Sequence, residues 1–125
     1  MKLAISTSGN KLDSPFDIRF GRAAAFCIVN VETGEWQAFD NPALSASGGA
    51  GVKAAQFVAS QGAGAVVSGA YGPNAFDTLA AAQIEMYLAP GNQVYTAAEI
   101  LDMFKAGELV RAEAATHAGH HGGHR

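Results

Sequence analysis

Strand-length apolar runs, each cut short by glycine or another turn former, constrain this chain more than any other feature. Lys2 to Ser6, Ala65 to Ser68 and Ile84 to Leu88 are such runs. Continuous apolar character over so few residues fits a strand covered on both faces. Ala23 to Val31 and Glu35 to Asp40 read as two further strands, joined through Glu32-Thr33-Gly34 as a tight hairpin. Trp36 and Phe39 on its second arm favour extended backbone.

Helical patterns fill the spaces between the later runs. Gly51 to Gln61 carries Val52, Ala55, Phe57, Val58 and Ala59 as a broad apolar face. Pro73 suits a first helical turn, where its missing N–H costs nothing, and that helix reaches about Ala82. Thr96 and Glu99 form a capping-box signature before Ile100, Leu101 and Phe104, and Gly107 closes this last helix. The order β-β-β-α-β-α-β-α predicts an α/β fold. It is a single domain with a mixed five-stranded sheet flanked by helices: the hairpin antiparallel, the crossovers parallel. The domain is expected over residues 1–111. Residues 112–125, rich in Ala, Gly and His without apolar periodicity, are expected to be a flexible tail.

Composition and charge remove several function classes. No apolar run approaches the ~20 residues that cross a bilayer. Met1 to Ile5 passes at once into Ser6-Thr7-Ser8, which is no signal-peptide core, so a cytoplasmic location is expected. A net charge of −3 with eight Lys and Arg lacks the footprint of a nucleic-acid or membrane-surface binder. Small ligands or other proteins are the expected partners. The single cysteine, Cys27, excludes an intrachain disulfide and a metal site built from this chain's thiolates alone. Within its apolar run it reads as a small buried hydrophobe; service as a nucleophile would need exposure and a lowered pKa.

Glycines mark the loops where chemistry could sit. Gly21 ends the long first loop, Gly48-Gly49-Ala50-Gly51 precedes one helix, Gly69 and Gly72 precede the next, and Gly91 follows the last strand. In open α/β sheets the crevice beyond the strand carboxyl ends is the usual ligand site. Helix N-termini near Gly51 and Pro73 would offer main-chain N–H groups to an anion there. Arg19 and Arg22 flank Phe20-Gly21. They are either the cationic part of that site or loop residues, solvated or paired with Asp13 or Asp17.

Other motifs lead nowhere. Val52 separates Gly51 from Lys53 and Ala54 follows, so no P-loop is present. No nucleophile elbow occurs, and Asp13, Asp17, Asp40, Asp77, Glu85 and Asp102 are scattered, so catalysis is not expected. All four histidines, His117, His120, His121 and His124, lie in the tail, where they could take a divalent metal with low selectivity or be functionless.

Several short segments together resemble the dinitrogenase iron-molybdenum cofactor biosynthesis family. They are Met1-Lys2-Leu3-Ala4-Ile5-Ser6-Thr7, Ser14-Pro15-Phe16, Arg19-Phe20-Gly21-Arg22-Ala23, Val31-Glu32-Thr33-Gly34-Glu35, Asn41-Pro42 and Gly48-Gly49-Ala50-Gly51. Gly69-Ala70-Tyr71-Gly72-Pro73-Asn74-Ala75 and Lys105-Ala106-Gly107-Glu108-Leu109 complete the set. The resemblance implies a ribonuclease-H-like topology and a non-catalytic carrier of an anionic metal–sulfur cluster, molybdenum with iron or copper, bound without covalent attachment. It implies cluster donor and acceptor proteins as partners. The cradle would be Arg19, Phe20, Gly21, Arg22, Gly48, Gly49, Gly51, Tyr71, Gly72 and Pro73. Many relatives carry His where Arg19 stands; guanidinium has no free lone pair, so hydrogen bonds to sulfide replace metal ligation. A regulatory or protein-interaction module on the same fold is the alternative.

Overall fold

The computed structural model describes residues 1–90 and 92–115. Its elements are β1 (Lys2–Thr7), β2 (Ala25–Asn30), β3 (Trp36–Asp40), α1 (Ala50–Ser60), β4 (Ala63–Ser68), α2 (Pro73–Ala81), β5 (Glu85–Leu88), α3 (Ala97–Lys105) and β6 (Val110–Arg111). The chain is therefore α/β with a mixed sheet, in the order β3-β2-β1-β4-β5-β6. β1, β4 and β5 are parallel; β2 pairs antiparallel with β1, β3 antiparallel with β2, and β6 antiparallel with β5.

The sheet has six strands where five were expected. β6 pairs only Tyr87 with Arg111 and Leu88 with Val110, and two residues carry no periodicity to read. The packed body also runs one residue past the expected boundary. Ala112 is buried, and its N–H donates to the Met86 carbonyl at 2.8 Å.

Alternation along each strand explains the continuous apolar runs. Leu3, Ile5, Cys27, Val29, Ala65 and Val67 face one side, where Ala97 and Ile100 of α3 cover them. Ala4, Phe26, Ile28 and Val66 face the other, under Ala54, Ala55 and Val58 of α1 and Leu79 of α2. Both faces of the central strands are thus buried, as parallel strands require. The small α1 face lets that helix lie close to the sheet and to α2.

The first loop is long but ordered. Ser8 N–H donates to the Pro15 carbonyl (2.9 Å), Phe16 N–H to Tyr95 (2.7 Å), and Asp17 N–H to Ser6 (2.9 Å). Its distal part lies against α3: Ala97 and Ala98 N–H donate to Ser14 and Leu12 carbonyls. The segment 17–19 then runs beside the end of β4, with a parallel bridge between Arg19 and Ala70. This loop is held across the carboxyl ends of the parallel strands, where a ligand site is expected.

Candidate functional site

Three loops meet at that end of the sheet: 8–24 after β1, 41–49 after β3, and 69–72 after β4. Asn41, buried at 4% exposure, joins the first two. Its Nδ2 donates to the carbonyls of Gly21 (3.1 Å) and Ala23 (2.9 Å), and its Oδ1 accepts from Ala43 N–H (2.9 Å). Glycine then brings main chain against main chain. A Cβ on Gly21 would lie 3.1 Å from the Gly51 nitrogen, and a Cβ on Gly51 would lie 3.1 Å from the Ala75 Cβ. Loop 1, the start of α1 and the start of α2 therefore converge.

Between them is a cleft of ≈ 400 Å³ lined by Arg19 to Arg22, Gly49 to Gly51, Ala70 and Gly72 to Ala75. Gly49, in the left-handed region at φ 69, is the N-cap of α1, and Gly72 is the N-cap of α2. Neither helix has a side-chain cap or an acidic residue in its first turn. First-turn N–H groups have no partner inside the helix and carry the positive end of its dipole. Two such ends thus face one cleft, and among the described residues no carboxylate, thiol or imidazole lines it. Two larger hollows, beside the β2–β3 hairpin and beside β5–β6, contain neither a helix N-terminus nor more than one arginine.

The arginines are held differently. Arg22 Nη1 donates to the Ala46 carbonyl at 3.1 Å, reaching across to loop 41–49. Arg19 Nε and Nη2 donate to Asp17 Oδ1 and Oδ2 at 3.1 and 3.0 Å, a two-point pair. The Asp17 hydrogen bonds and charge raise the Arg19 pKa further above its ordinary value. Both sequence alternatives for Arg19 are therefore realised together: it pairs with Asp17, and it lines the cleft.

Sequence reasoning missed the support beneath this pair. Ser6 and Ser68, both fully buried at the ends of β1 and β4, touch at 2.9 Å between hydroxyls. Ser6 Oγ donates to the Asp17 carbonyl at 2.7 Å. The Ile18 carbonyl accepts from Gly69 N–H at 3.1 Å and from Ser68 Oγ at 3.4 Å. Serine at a strand end is too common to signal such a role in the sequence.

The structure brings together Arg19, Phe20, Gly21, Arg22, Gly49, Gly51, Gly72 and Pro73 of the expected cradle. Gly48 precedes the N-cap and does not line the cleft. Phe20 lines the cleft, but its ring is buried against Phe26 and Tyr71 at centroid distances of 5.4 and 5.6 Å. Tyr71 lies beneath the cleft and not in it. The side chain is fully buried, with its hydroxyl donating to the Tyr87 carbonyl (2.7 Å) and the Val66 carbonyl also within reach (3.0 Å). Burial pushes the Tyr71 phenol well above its ordinary pKa.

Cys27 is fully buried, its thiol near the Lys11 carbonyl at 3.6 Å, and desolvation raises its pKa. Both features oppose nucleophilic use. Gly91 and the tail histidines His117, His120, His121 and His124 lie outside the described residues. Among the described residues no group of three His, Cys, Asp or Glu could hold a metal ion, and no helix is long and apolar enough to cross a membrane.

Fold and cleft define the class: an α/β domain with a cationic, main-chain-lined cleft at the carboxyl ends of its parallel strands. The chain belongs to the dinitrogenase iron-molybdenum cofactor family, whose profile matches residues 1–107. No curated protein matches significantly. Among solved structures it is similar to the apo form of the orange protein from Desulfovibrio gigas, at 34% identity and TM-score 0.87, covering 93% of this chain and 96% of that one. It is also similar to a candidate NifB protein from Thermotoga placed in the DUF35 family. There the identity is 31% and the TM-score 0.80, over 94% of this chain and 98% of that one.

Proposed function

We propose that this protein is a non-catalytic carrier of an anionic metal–sulfur cluster, molybdenum with iron or copper, held in the cleft without covalent attachment. The observation that carries the reading is the cleft's donor set: two uncapped helix N-termini and two arginines, with no carboxylate, thiol or imidazole among the described lining residues. Such a site binds the outer sulfides of a cluster through N–H groups and leaves its metals untouched. It also has no acid or base positioned for proton transfer, which suits carriage and not turnover. Family membership and the likeness to an orange protein with an apo form support the same reading. The partners are then proteins that supply and remove the cluster, approaching the open cleft.

Tetrathiomolybdate, a sulfide-covered dianion with visible absorption, serves as the probe. Titration of the purified chain at several salt concentrations gives saturable binding that weakens as salt rises. Arg19→Ala with Arg22→Ala reduces the affinity at least tenfold, on the scale of two lost charge-assisted contacts. Undiminished binding by the folded double variant contradicts the reading.

A further inference from the structure

We infer that Asp17 is a positioning residue for cargo binding: it holds the Arg19 guanidinium so that its unused N–H edge is presented to the anion. The inference rests on the carrier reading and adds a residue outside the cleft lining.

An arginine has five N–H groups in a planar fork. Asp17 takes Nε and one Nη2 hydrogen, which fixes the plane of the group. Nη1 and the second Nη2 hydrogen are left over, and no partner for Nη1 occurs among the described residues. Arg19 is otherwise exposed (61% for the side chain), so without Asp17 it would sample many rotamers. Asp17 is the opposite case, with 9% side-chain exposure.

Asp17 is itself immobilised from several directions. Its N–H donates to the Ser6 carbonyl at 2.9 Å, and its carbonyl accepts from Ser6 Oγ at 2.7 Å. Its Oδ1 also accepts from the Arg19 main-chain N–H at 2.9 Å, closing a turn that fixes the backbone from which Arg19 projects. Strand end, buried serine, carboxylate and guanidinium form one chain of contacts leading to the cleft.

Two effects of Asp17 on an anion oppose each other. Its negative charge repels the guest, whereas its grip on Arg19 spares the ordering of a long side chain on binding. Positioning is the larger effect, because Arg19 screens the carboxylate and because ordering an arginine costs more than a screened repulsion at this exposure.

The test is a double-mutant cycle on the full chain, with tetrathiomolybdate affinity as readout and thermal melts confirming folding. Asp17→Asn preserves the size and one acceptor but removes the two-point ionic grip. It weakens binding about fivefold in the native background, on the scale of one immobilised side chain. In the Arg19→Ala background the same change tightens binding about twofold, because only the repulsion remains to be lost. That reversal of sign is not produced by a merely structural role, which weakens binding in both backgrounds. Binding by the native chain with Asp17→Asn unchanged or tighter overturns the positioning role alone. A native chain that does not bind the probe at all overturns the carrier reading and the inference with it.

Discussion

Gly69 is the point where the cleft loop touches the sheet most tightly, and its replacement by alanine has a computable cost. A Cβ there would lie 2.5 Å from the Ile18 Cβ, 2.8 Å from the Ile18 carbonyl oxygen and 2.9 Å from its Cα. These distances are shorter than real contacts, and two of the three atoms are main chain, so no rotamer change relieves them. Segment 17–19 must lift away from the end of β4. Overpacking of this kind costs about 1–3 kcal/mol. Lifting also stretches the Gly69 N–H bond to the Ile18 carbonyl (3.1 Å), which contributes about 1 kcal/mol. Gly69→Ala is therefore expected to lose about 2–4 kcal/mol in urea unfolding followed by far-ultraviolet circular dichroism. The melting temperature should fall by roughly 10 °C for a domain of this size. Ile18→Gly in the same chain restores only part of the loss, because the carbonyl and Cα remain in the way. A Gly69→Ala chain within 0.5 kcal/mol of the native one would show that the loop is not clamped as described.

Asn41→Ala removes three side-chain hydrogen bonds, two that join the first two cleft loops and one within loop 41–49, and should cost about 3 kcal/mol by the same unfolding assay. A loss under 1 kcal/mol would mean that water replaces them. Burial raises the Tyr71 pKa, so the neutral phenol's stabilisation is whole below about pH 10, the ordinary tyrosine value, and is lost as pH climbs further. Ultraviolet titration should accordingly show Tyr71 ionising only as the fold opens; its ionisation in the still-folded chain near the ordinary tyrosine value would contradict its placement. Cys27 should resist thiol reagents in the native protein and react fully in denaturant, since it is buried with a raised pKa. Rapid native labelling would refute that environment.

The helices were the most legible part of the fold because local chemistry marks their ends. Thr96 and Glu99 form the capping box that their spacing announces, and Pro73 occupies the first turn of α2. β4 begins at Ala63, earlier than its apolar run suggests, because Gly62 and Gly64 look like one uninterrupted turn. β6 and the Ser6–Ser68–Asp17 contacts were not legible, since both depend on partners outside the local sequence, 62 residues away for Ser6 and Ser68. Tyr71 shows the opposite failure. The family resemblance implied a place in the cradle, but the aromatic side chain turns inward to bury its ring. The glycines were informative as a set, because close approach of three loops leaves no room for side chains at Gly21, Gly51 and Gly69.

The central claim is that amides and guanidinium groups hold an inorganic anion in this cleft. Its most direct test is metal and sulfide analysis of the protein purified anaerobically from its own cells, beside the Arg19→Ala, Arg22→Ala chain. Molybdenum with iron or copper, acid-labile sulfide and visible colour are expected in the native protein and lost from the variant. A colourless, metal-free native protein, or equal metal in both, contradicts the account.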